Sequence, residues 1–298
     1  MASAIDRAQI MGFEHQTAEV NGINVHYVIG GSGAPLLLWH GFCETWYCWR
    51  KIMPELAKRF TVIAPDMRGF GDSGKPEGKY DARLLATDLY QLVQQLGFEK
   101  LGIVAHDMGA PAALMFAAEH PEMVQGLVYL EEPVLTKATM ADIHAFTPEA
   151  VQNGLLWWWR FAFAYDLPET LLAGKEQEFL AWFHQHGTFD PGAVEKEAAR
   201  EYLRTFASTE GIRGAFGVYR GIFDTIEQTE TLTGEHKITV PVLGLGGAKG
   251  KGDQVAHQLR QVARHVSGGT VENCGHFVAD EQPEVLIKHV LSFFDDVS

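Results

Sequence analysis

The chain of 298 residues has few cysteines, few basic residues and no long apolar run. Cys43, Cys48 and Cys274 form no C-x-x-C pair and cannot all be bridged, so disulfides and zinc explain the fold poorly. Asp and Glu (38) outnumber Lys and Arg (24), and the resulting net charge of −14 repels nucleic acid and anionic membranes. No apolar stretch is long enough to cross a bilayer.

Signals for secretion, metals and nucleotide cofactors are missing as well. Residues 1–14 have no basic start followed by an apolar stretch, so we expect a cytoplasmic protein. His184 and His186 would point to different faces of a helix, which disfavours a metal site. The glycine-rich residues 244–252 fit neither phosphate-loop pattern and are expected to form a flexible loop at the carboxyl edge of a sheet. We therefore predict no metal and no cofactor.

Short β-rich runs alternate with longer amphipathic segments along the chain. This pattern predicts an α/β fold with a mostly parallel sheet covered by helices. The predicted strands are residues 25–29, 36–39, 61–64, 101–105, 126–130, 238–243 and 270–271. The predicted helices around them are residues 49–59, 81–97, 108–119 and 283–294.

The alternation stops after residue 133 and resumes at about residue 236. The stretch between has no convincing strand, and two of its segments, residues 155–165 and 177–186, are aromatic with a helical period. We predict an α/β core formed by residues 1–133 and 236–298 and a helical cap formed by residues 134–235. The alternative is one continuous α/β domain, which the length of the strand-free stretch disfavours.

Asp107 gives the strongest chemical signal, because it stands between a predicted strand and a predicted helix. Ala105 and Gly109 lie two places before and after it, and such small residues permit a strained turn that exposes the central side chain. A turn of this kind carries a nucleophile, although Asp107 could instead cap the helix. No serine occupies a G-x-S-x-G pattern, so a serine nucleophile is disfavoured.

Two further residues supply partners in the chain order of the α/β hydrolases, which is nucleophile, acid and histidine. Glu131 follows the strand after the Asp107 turn, so its carboxylate would emerge at the same sheet edge. His276 precedes the last helix, where a general base is expected. Glu132 is a neighbouring charge, and Asp253 is an alternative acid because it follows the next strand.

A possible oxyanion hole completes this set. His40 and Gly41 follow the strand of residues 36–39, and the loop beyond them would present the backbone N–H of Phe42. The backbone N–H of Met108, directly after Asp107, would be the second donor.

Four segments resemble the epoxide-hydrolase branch of the α/β hydrolases. They are residues 40–49 (HGFCETWYCW), residues 64–73 (APDMRGFGDS), the turn at Asp107 and residues 273–276 (NCGH), and the resemblance extends over residues 22–294. It implies the fold of that family with its inserted cap.

The resemblance implies Asp107 as nucleophile, Glu131 as acid and His276 as base, in preference to Glu132 and Asp253. Its departures are local. The family usually has Pro at position 43, where this chain has Cys, and commonly has Trp directly after the nucleophile, where this chain has Met. Neither change removes a backbone donor of the oxyanion hole.

The resemblance also implies a proton donor in the cap, because epoxide hydrolases protonate the opening oxygen with two Tyr or with one His and one Tyr. Tyr219, in the sequence GVYR, matches the cap tyrosine. The second donor falls among three consecutive tryptophans, and an indole N–H donates hydrogen bonds but no proton. We expect Tyr219 to act as the acid, with Trp158 or Trp159 orienting the epoxide oxygen and His40 also contacting the substrate.

These residues predict a cofactor-independent epoxide hydrolase that converts an apolar, aromatic or polycyclic epoxide into a vicinal diol through an ester at Asp107. With tryptophans in its cap, the chain resembles epoxide hydrolases of bacterial aromatic polyketide pathways, of the kinamycin and fluostatin kind. This resemblance implies a role in antibiotic biosynthesis. The expected partners are the epoxide and water. No nucleic acid or membrane is expected, and a homodimer is compatible with the sequence.

Two alternatives stay open. A haloalkane or haloacid dehalogenase would use the same Asp ester, but the Trp or Arg residues of those enzymes are replaced here by Met108 and Pro111. A non-catalytic ligand-binding relative would be expected to have lost Asp107, Glu131 or His276, and all three are present.

Overall fold

An eight-stranded sheet forms the centre of the protein in the computed structural model, which describes residues 7–143 and 157–297. The strands are β1 (Phe13–Val20), β2 (Ile23–Gly31), β3 (Ala34–Trp39), β4 (Phe60–Pro65), β5 (Leu101–His106), β6 (Val124–Leu130), β7 (Val242–Gly247) and β8 (Val266–Val271). Their spatial order is β1-β2-β4-β3-β5-β6-β7-β8. The pairs β1–β2 and β2–β4 are antiparallel, and the other neighbours are parallel. The predicted α/β fold with a mostly parallel sheet is confirmed.

Helices cover the sheet. They are α1 (Met53–Leu56), α2 (Ala82–Gln95), α3 (Ala110–Glu119), α4 (Lys137–Ile143), α5 (Trp157–Phe161), α6 (Leu167–Leu172), α7 (Glu176–Gly187), α8 (Lys196–Phe206), α9 (Thr209–Arg220), α10 (Ile222–Glu230), α11 (Gln254–Leu259), α12 (Val278–Glu281) and α13 (Pro283–Asp296). Short 3₁₀ turns occupy Trp46–Trp49, Asp107–Gly109 and Gly234–His236. Among the described helices, none combines the length and the apolar character that a membrane span requires.

The central strands bring the chemical residues to one edge. Every residue of β5 is buried, as expected for a parallel strand covered on both faces. His106, the last residue of β5, pairs in register with Leu130 of β6, and Leu130 pairs with Leu245 of β7. Because parallel strands end at the same edge, the residues that follow β5 and β6 leave the sheet side by side.

Three elements differ from the sequence prediction. β1 was not predicted, because it is an edge strand in which half of the residues are exposed and most are polar. The predicted helix of residues 49–59 is a 3₁₀ turn followed by α1, and Pro54 in the first turn of α1 explains the break. The strand predicted at residues 238–243 begins and ends later in the structure, as β7 (Val242–Gly247). The glycines of β7 weaken its strand signal in the sequence.

Residues 134–235, which we call the helical insertion, separate β6 from β7. Their described part contains helices α4 to α10 and no strand. Residues 155–156 of the predicted helix 155–165 lie outside the described residues, and α5 covers part of the remainder. The division into a core and a separate cap stays a prediction.

Glycines let α9 of the helical insertion approach the core closely. A Cβ atom at Gly214 would lie 2.5 Å from the carbonyl oxygen of Gly69, and one at Gly217 would lie 2.5 Å from the Tyr80 ring. The backbone N–H of Tyr80 donates a 2.9 Å hydrogen bond to the carbonyl of Gly217. This contact fixes the position of Tyr219, which is two residues further along α9.

Candidate active site

Asp107 lies at a strained turn between β5 and α3. Its φ angle is +47°, in the left-handed region that residues other than glycine rarely adopt. A Cβ atom at Gly109 would lie 2.2 Å from the carbonyl oxygen of His40, so the turn requires glycine there. The predicted strand–turn–helix geometry around Asp107 is therefore present.

The two predicted oxyanion donors bind the Asp107 carboxylate itself. The N–H of Phe42 donates to Oδ1 over 2.6 Å, and the N–H of Met108 also bonds this carboxylate. Burial alone would raise the pKa of Asp107, but His276, the charge of His106 and the N–H of Met108 lower it to about 2. Asp107 is therefore ionised at neutral pH. Cys43, where the family usually has Pro, adopts a φ of +57°, which a proline ring could not adopt.

His276 lies between two carboxylates. Its Nε2 is 3.3 Å from Oδ2 of Asp107, and its Nδ1 is 3.2 Å from Oε2 of Glu131. Burial would lower the pKa of His276, but its hydrogen bonds and charge interactions with Asp107 and Glu131 raise it well above the usual value. Asp107, His276 and Glu131 thus form a contiguous chain of an acid, a base and an acid.

The glycine-rich residues 244–252 hold the Glu131 carboxylate, although only residues 248–252 form the predicted loop, because residues 244–247 are the buried end of β7. Oε1 of Glu131 accepts hydrogen bonds from the backbone N–H of Gly247 at 2.6 Å and of Lys251 at 2.8 Å. The loop does wrap an anion, but the anion is a side chain of the protein rather than a phosphate. Asp253, the alternative acid, is exposed at the start of α11.

Replacing Gly250 with alanine is expected to displace Glu131. A Cβ atom at Gly250 would lie 2.4 Å from both carboxylate oxygens of Glu131, so the carboxylate or the loop must move. We expect kcat to fall roughly 10- to 100-fold, because small misplacements of catalytic groups cost rates of that size. Gly269→Ala is the matched control, since a Cβ there meets no atom within 4 Å. Equal kcat values for the two variants would show that the loop does not position Glu131.

The three consecutive tryptophans have different environments. Nε1 of Trp158 donates a hydrogen bond to the Tyr219 hydroxyl over 3.2 Å, and the Trp159 ring lies 5.6 Å from the Tyr219 ring. Trp157 is partly exposed and packs on Trp182. Trp158 was expected to orient the epoxide oxygen. In the structure its indole N–H is instead bonded to the hydroxyl of Tyr219, the predicted proton donor.

Tyr219 is buried beside the loop that follows β3 and carries Phe42. Its ring lies 4.9 Å from the Phe42 ring, centroid to centroid. Burial, followed by the charge of Asp107, raises the pKa of Tyr219 well above its usual value. The phenol therefore keeps its proton in the free protein and can donate it.

His40 does not have the environment that was expected for a substrate contact. It is fully buried, its Nδ1 bonds the carbonyl of Gly41 at 2.9 Å, and its Nε2 accepts from the N–H of Met67 at 3.0 Å. Both ring nitrogens are therefore used by the backbone. Burial lowers the pKa of His40, in agreement with a neutral ring that donates once and accepts once. The predicted substrate contact of His40 is therefore corrected: its ring holds the loop before Phe42 in place through two hydrogen bonds to the backbone.

Sequence reasoning missed a second buried pair beside the site. Nδ1 of His106 lies 2.9 Å from Oε2 of Glu44, and its Nε2 lies 2.8 Å from the carbonyl oxygen of His276. Burial opposes ionisation of Glu44, but His106 lowers its pKa. The pair ties the loop after β3 to the backbone of His276. Glu44 lies within the recognised segment 40–49 and His106 directly precedes Asp107, so their position was the available signal.

One cluster in the described part of the chain has the spacing of metal ligands. It consists of His26, Asp66 and Asp72. Nδ1 of His26 bonds Asp66 at 2.7 Å, and Asp72 is bound by Arg7 at 2.8 Å and by Arg204 at 2.7 Å. Because two guanidinium groups already neutralise the cluster, it suits an ion-pair network better than a metal.

The alpha/beta hydrolase fold family matches residues 34–283, which include the Asp107 turn, Glu131 and His276. The chain belongs to this family. It is 37% identical over 289 residues to the soluble epoxide hydrolase of Corynebacterium sp. (strain C12), covering 94% of this chain and 96% of that protein. These matches assign the chain to the epoxide-hydrolase branch of the α/β hydrolases.

A solved structure and a second relative extend this comparison. The crystal structure of the Cif epoxide hydrolase from Acinetobacter nosocomialis is similar with a TM-score of 0.88 and 26% identity, covering 96% of this chain and 90% of that one. A fluoroacetate dehalogenase of Burkholderia sp is 30% identical over 220 residues, covering 70% of this chain and 69% of that protein. Both chemistries that were weighed from the sequence therefore occur among relatives.

Proposed function

We propose that the protein hydrolyses an epoxide to a vicinal diol through an ester formed on Asp107. The observation that carries this proposal is that the two oxygens of the Asp107 carboxylate have different partners. Oδ1 accepts a hydrogen bond from the N–H of Phe42, while Oδ2 faces His276. An ionised, oriented oxygen beside a buried tyrosine suits attack on a strained ring.

In the first step, Oδ2 of Asp107 forms a bond to an epoxide carbon, and the bond from that carbon to the ring oxygen breaks. Tyr219 gives its proton to the departing oxygen. The hydrogen bond from the Trp158 indole to the Tyr219 oxygen would stabilise the phenolate that results. The product is a hydroxyalkyl ester of Asp107.

In the second step, His276 removes a proton from a water that attacks the carbonyl carbon of the ester. The negative charge that develops on Oδ1 meets the N–H groups of Phe42 and Met108. Glu131 stabilises the imidazolium through Nδ1. The acyl C–O bond of the ester then breaks, His276 gives its proton to the departing diol oxygen, and the remaining proton of the attacking water passes from the regenerated Asp107 carboxyl to the Tyr219 phenolate.

The proposed substrate is apolar and aromatic or polycyclic. Aromatic rings of the helical insertion converge on Phe42, whose centroid lies 5.4 Å from that of Phe183 and 5.6 Å from that of Phe216. Trp158 lies 5.0 Å from Phe183. Such a wall favours flat apolar ligands by dispersion and by burial of apolar surface.

A single turnover in H₂¹⁸O, with enzyme in excess over an aromatic epoxide, tests the proposed route. Water attacks the Asp107 carbonyl, so ¹⁸O is expected in the Asp107 carboxylate, while the first diol carries the original Asp107 oxygen. Peptide mass spectrometry locates the label. Label in the first diol alone would contradict the ester route and favour direct attack of water.

A dehalogenase is the second candidate, because the Trp158 N–H and the Tyr219 hydroxyl lie 3.2 Å apart and could bind a halide together. The match to a fluoroacetate dehalogenase adds to it. Against it, Met108 and Pro111 stand where the known dehalogenases carry Trp or Arg. Halide release from haloalkanes or haloacids, without diol formation from epoxides, would reverse the order.

Replacing Tyr219 with phenylalanine is expected to slow ester formation from an epoxide by about 10²- to 10⁴-fold, the usual contribution of a general acid. A halide leaves without a proton, so the same variant should lose less with a haloalkane. Stopped-flow measurement of ester formation separates the two cases. Tyr165→Phe is the control, since Tyr165 is exposed in the helical insertion. A Tyr219→Phe enzyme with normal ester formation would remove Tyr219 from the mechanism.

A further inference from the structure

Glu132 is a buried acid that the proposed mechanism does not use. It follows Glu131 at the end of β6, and only 3% of its surface is exposed. Its Oε1 has no hydrogen-bond partner among the described residues. A buried polar atom without a partner costs folding free energy, so its retention calls for a functional reason.

The surroundings of Glu132 place it at the reacting centre. Asp107 is the charge that acts on it most strongly, followed by Lys251 and His276. Glu132 in turn acts on the hydroxyl of Tyr219. Asp107 and Glu131 follow the paired strands β5 and β6 at one sheet edge, and Glu131 bonds His276, so Glu132 lies at the same edge as the nucleophile and the base.

The environment of Glu132 favours its protonated form. Burial raises its pKa well above the usual value, and the negative charge of Asp107 adds to this effect, while Lys251 and His276 oppose it. A neutral carboxyl group both donates and accepts a hydrogen bond. Its natural complement is an uncharged group that does the same, and a hydroxyl is the smallest such substituent.

We propose that Glu132 binds a hydroxyl group of the substrate close to the epoxide ring, so that the preferred substrates are aromatic epoxy alcohols. This inference rests on the proposed function. The aromatic rings around Phe42 offer apolar contacts, and the unpartnered Oε1 is the polar group that would distinguish one aromatic epoxide from another. A carboxylate substituent would be repelled by Asp107.

Two substrates that differ by one hydroxyl test the inference: trans-β-methylstyrene oxide and 3-phenylglycidol. The readout is the ratio of their kcat/KM values, with the epoxy alcohol in the numerator. Glu132→Leu is expected to lower this ratio about tenfold relative to the wild type, the effect of losing one hydrogen bond. Glu132→Gln, which keeps a neutral donor and acceptor, should stay within about threefold of the wild type.

Glu122→Leu is the matched control, because Glu122 is exposed just before β6. Glu132→Met, close to glutamate in length, serves if the leucine variant does not fold. Its melting temperature should rise, since an apolar side chain removes an unpartnered polar atom. An unchanged substrate ratio in a folded Leu or Met variant would overturn the inference and would indicate a bound water at Oε1. Failure of the proposed function looks different, with no diol from either substrate.

Discussion

Replacing Asp107 with alanine is expected to lower kcat for an epoxide by at least about 10⁴-fold, because the variant has no atom that can form the ester. The oxyanion donors and the aromatic wall would remain, so binding of substrate should change much less than turnover. Steady-state kinetics with a diol assay measures the first effect. Equilibrium binding of an epoxide to the inactive variant measures the second.

Asp253→Ala is the control for this experiment, since Asp253 is the alternative acid and is exposed. It should leave kcat unchanged. A fall in the Asp253 variant as large as that in the Asp107 variant would move the catalytic acid to α11. Binding without turnover in the wild type, unchanged by Asp107→Ala, would instead favour the non-catalytic ligand-binding relative that was weighed from the sequence.

The parts of the site that the sequence predicted are those encoded by local steric rules. Asp107 was found because a strained turn demands small neighbours, and the φ of +47° meets that expectation. Glu131 and His276 were predicted from chain order, because residues that follow neighbouring parallel strands emerge at one edge, but only the family resemblance favoured Glu131 over Glu132 and Asp253. The pairing of His106 with Leu130 is the physical basis of that rule.

The parts that the sequence did not predict depend on contacts between distant segments. Nothing in the order of residues 244–252 indicates that their N–H groups would enclose the Glu131 carboxylate, because the loop could face solvent equally well. The same holds for the Trp158 indole, whose partner lies 61 positions away on α9. His40 was misassigned because a motif gives a position in the chain but not the partners of each ring nitrogen.

The site places three carboxyl groups close together and gives them different environments. Asp107 is kept ionised by His276 and by backbone N–H groups. Glu131 has both oxygens occupied, one by the glycine-rich loop and the other by His276. Glu132 has an oxygen without a partner among the residues that the structure describes, and burial raises its pKa well above the usual value. Adjacent acids thus take different tasks because their hydrogen-bond donors differ.

Replacing His276 with glutamine is expected to stop the reaction after the first step. Glutamine cannot accept the proton of the attacking water, whereas Asp107 remains free to form the ester. Intact-protein mass spectrometry after an epoxide pulse should show a gain equal to the mass of the epoxide, on one site per chain. Wild-type protein under the same conditions should show no lasting gain. Absence of the adduct from a folded His276→Gln protein would refute the two-step scheme.

Lowering the pH should stop the wild-type protein reversibly at the same Asp107 ester. The charge of Asp107 raises the pKa of His276 in the free protein, and ester formation removes that charge, so the pKa falls and His276 becomes available as a base. Lowering the pH below this new pKa protonates His276 and slows ester hydrolysis, while Asp107, with a pKa of about 2, stays ionised and reactive. The ester should therefore accumulate in acid-quenched wild-type samples as the pH falls towards about 5. An ester level that did not vary with pH would mean that His276 is not the base of the second step.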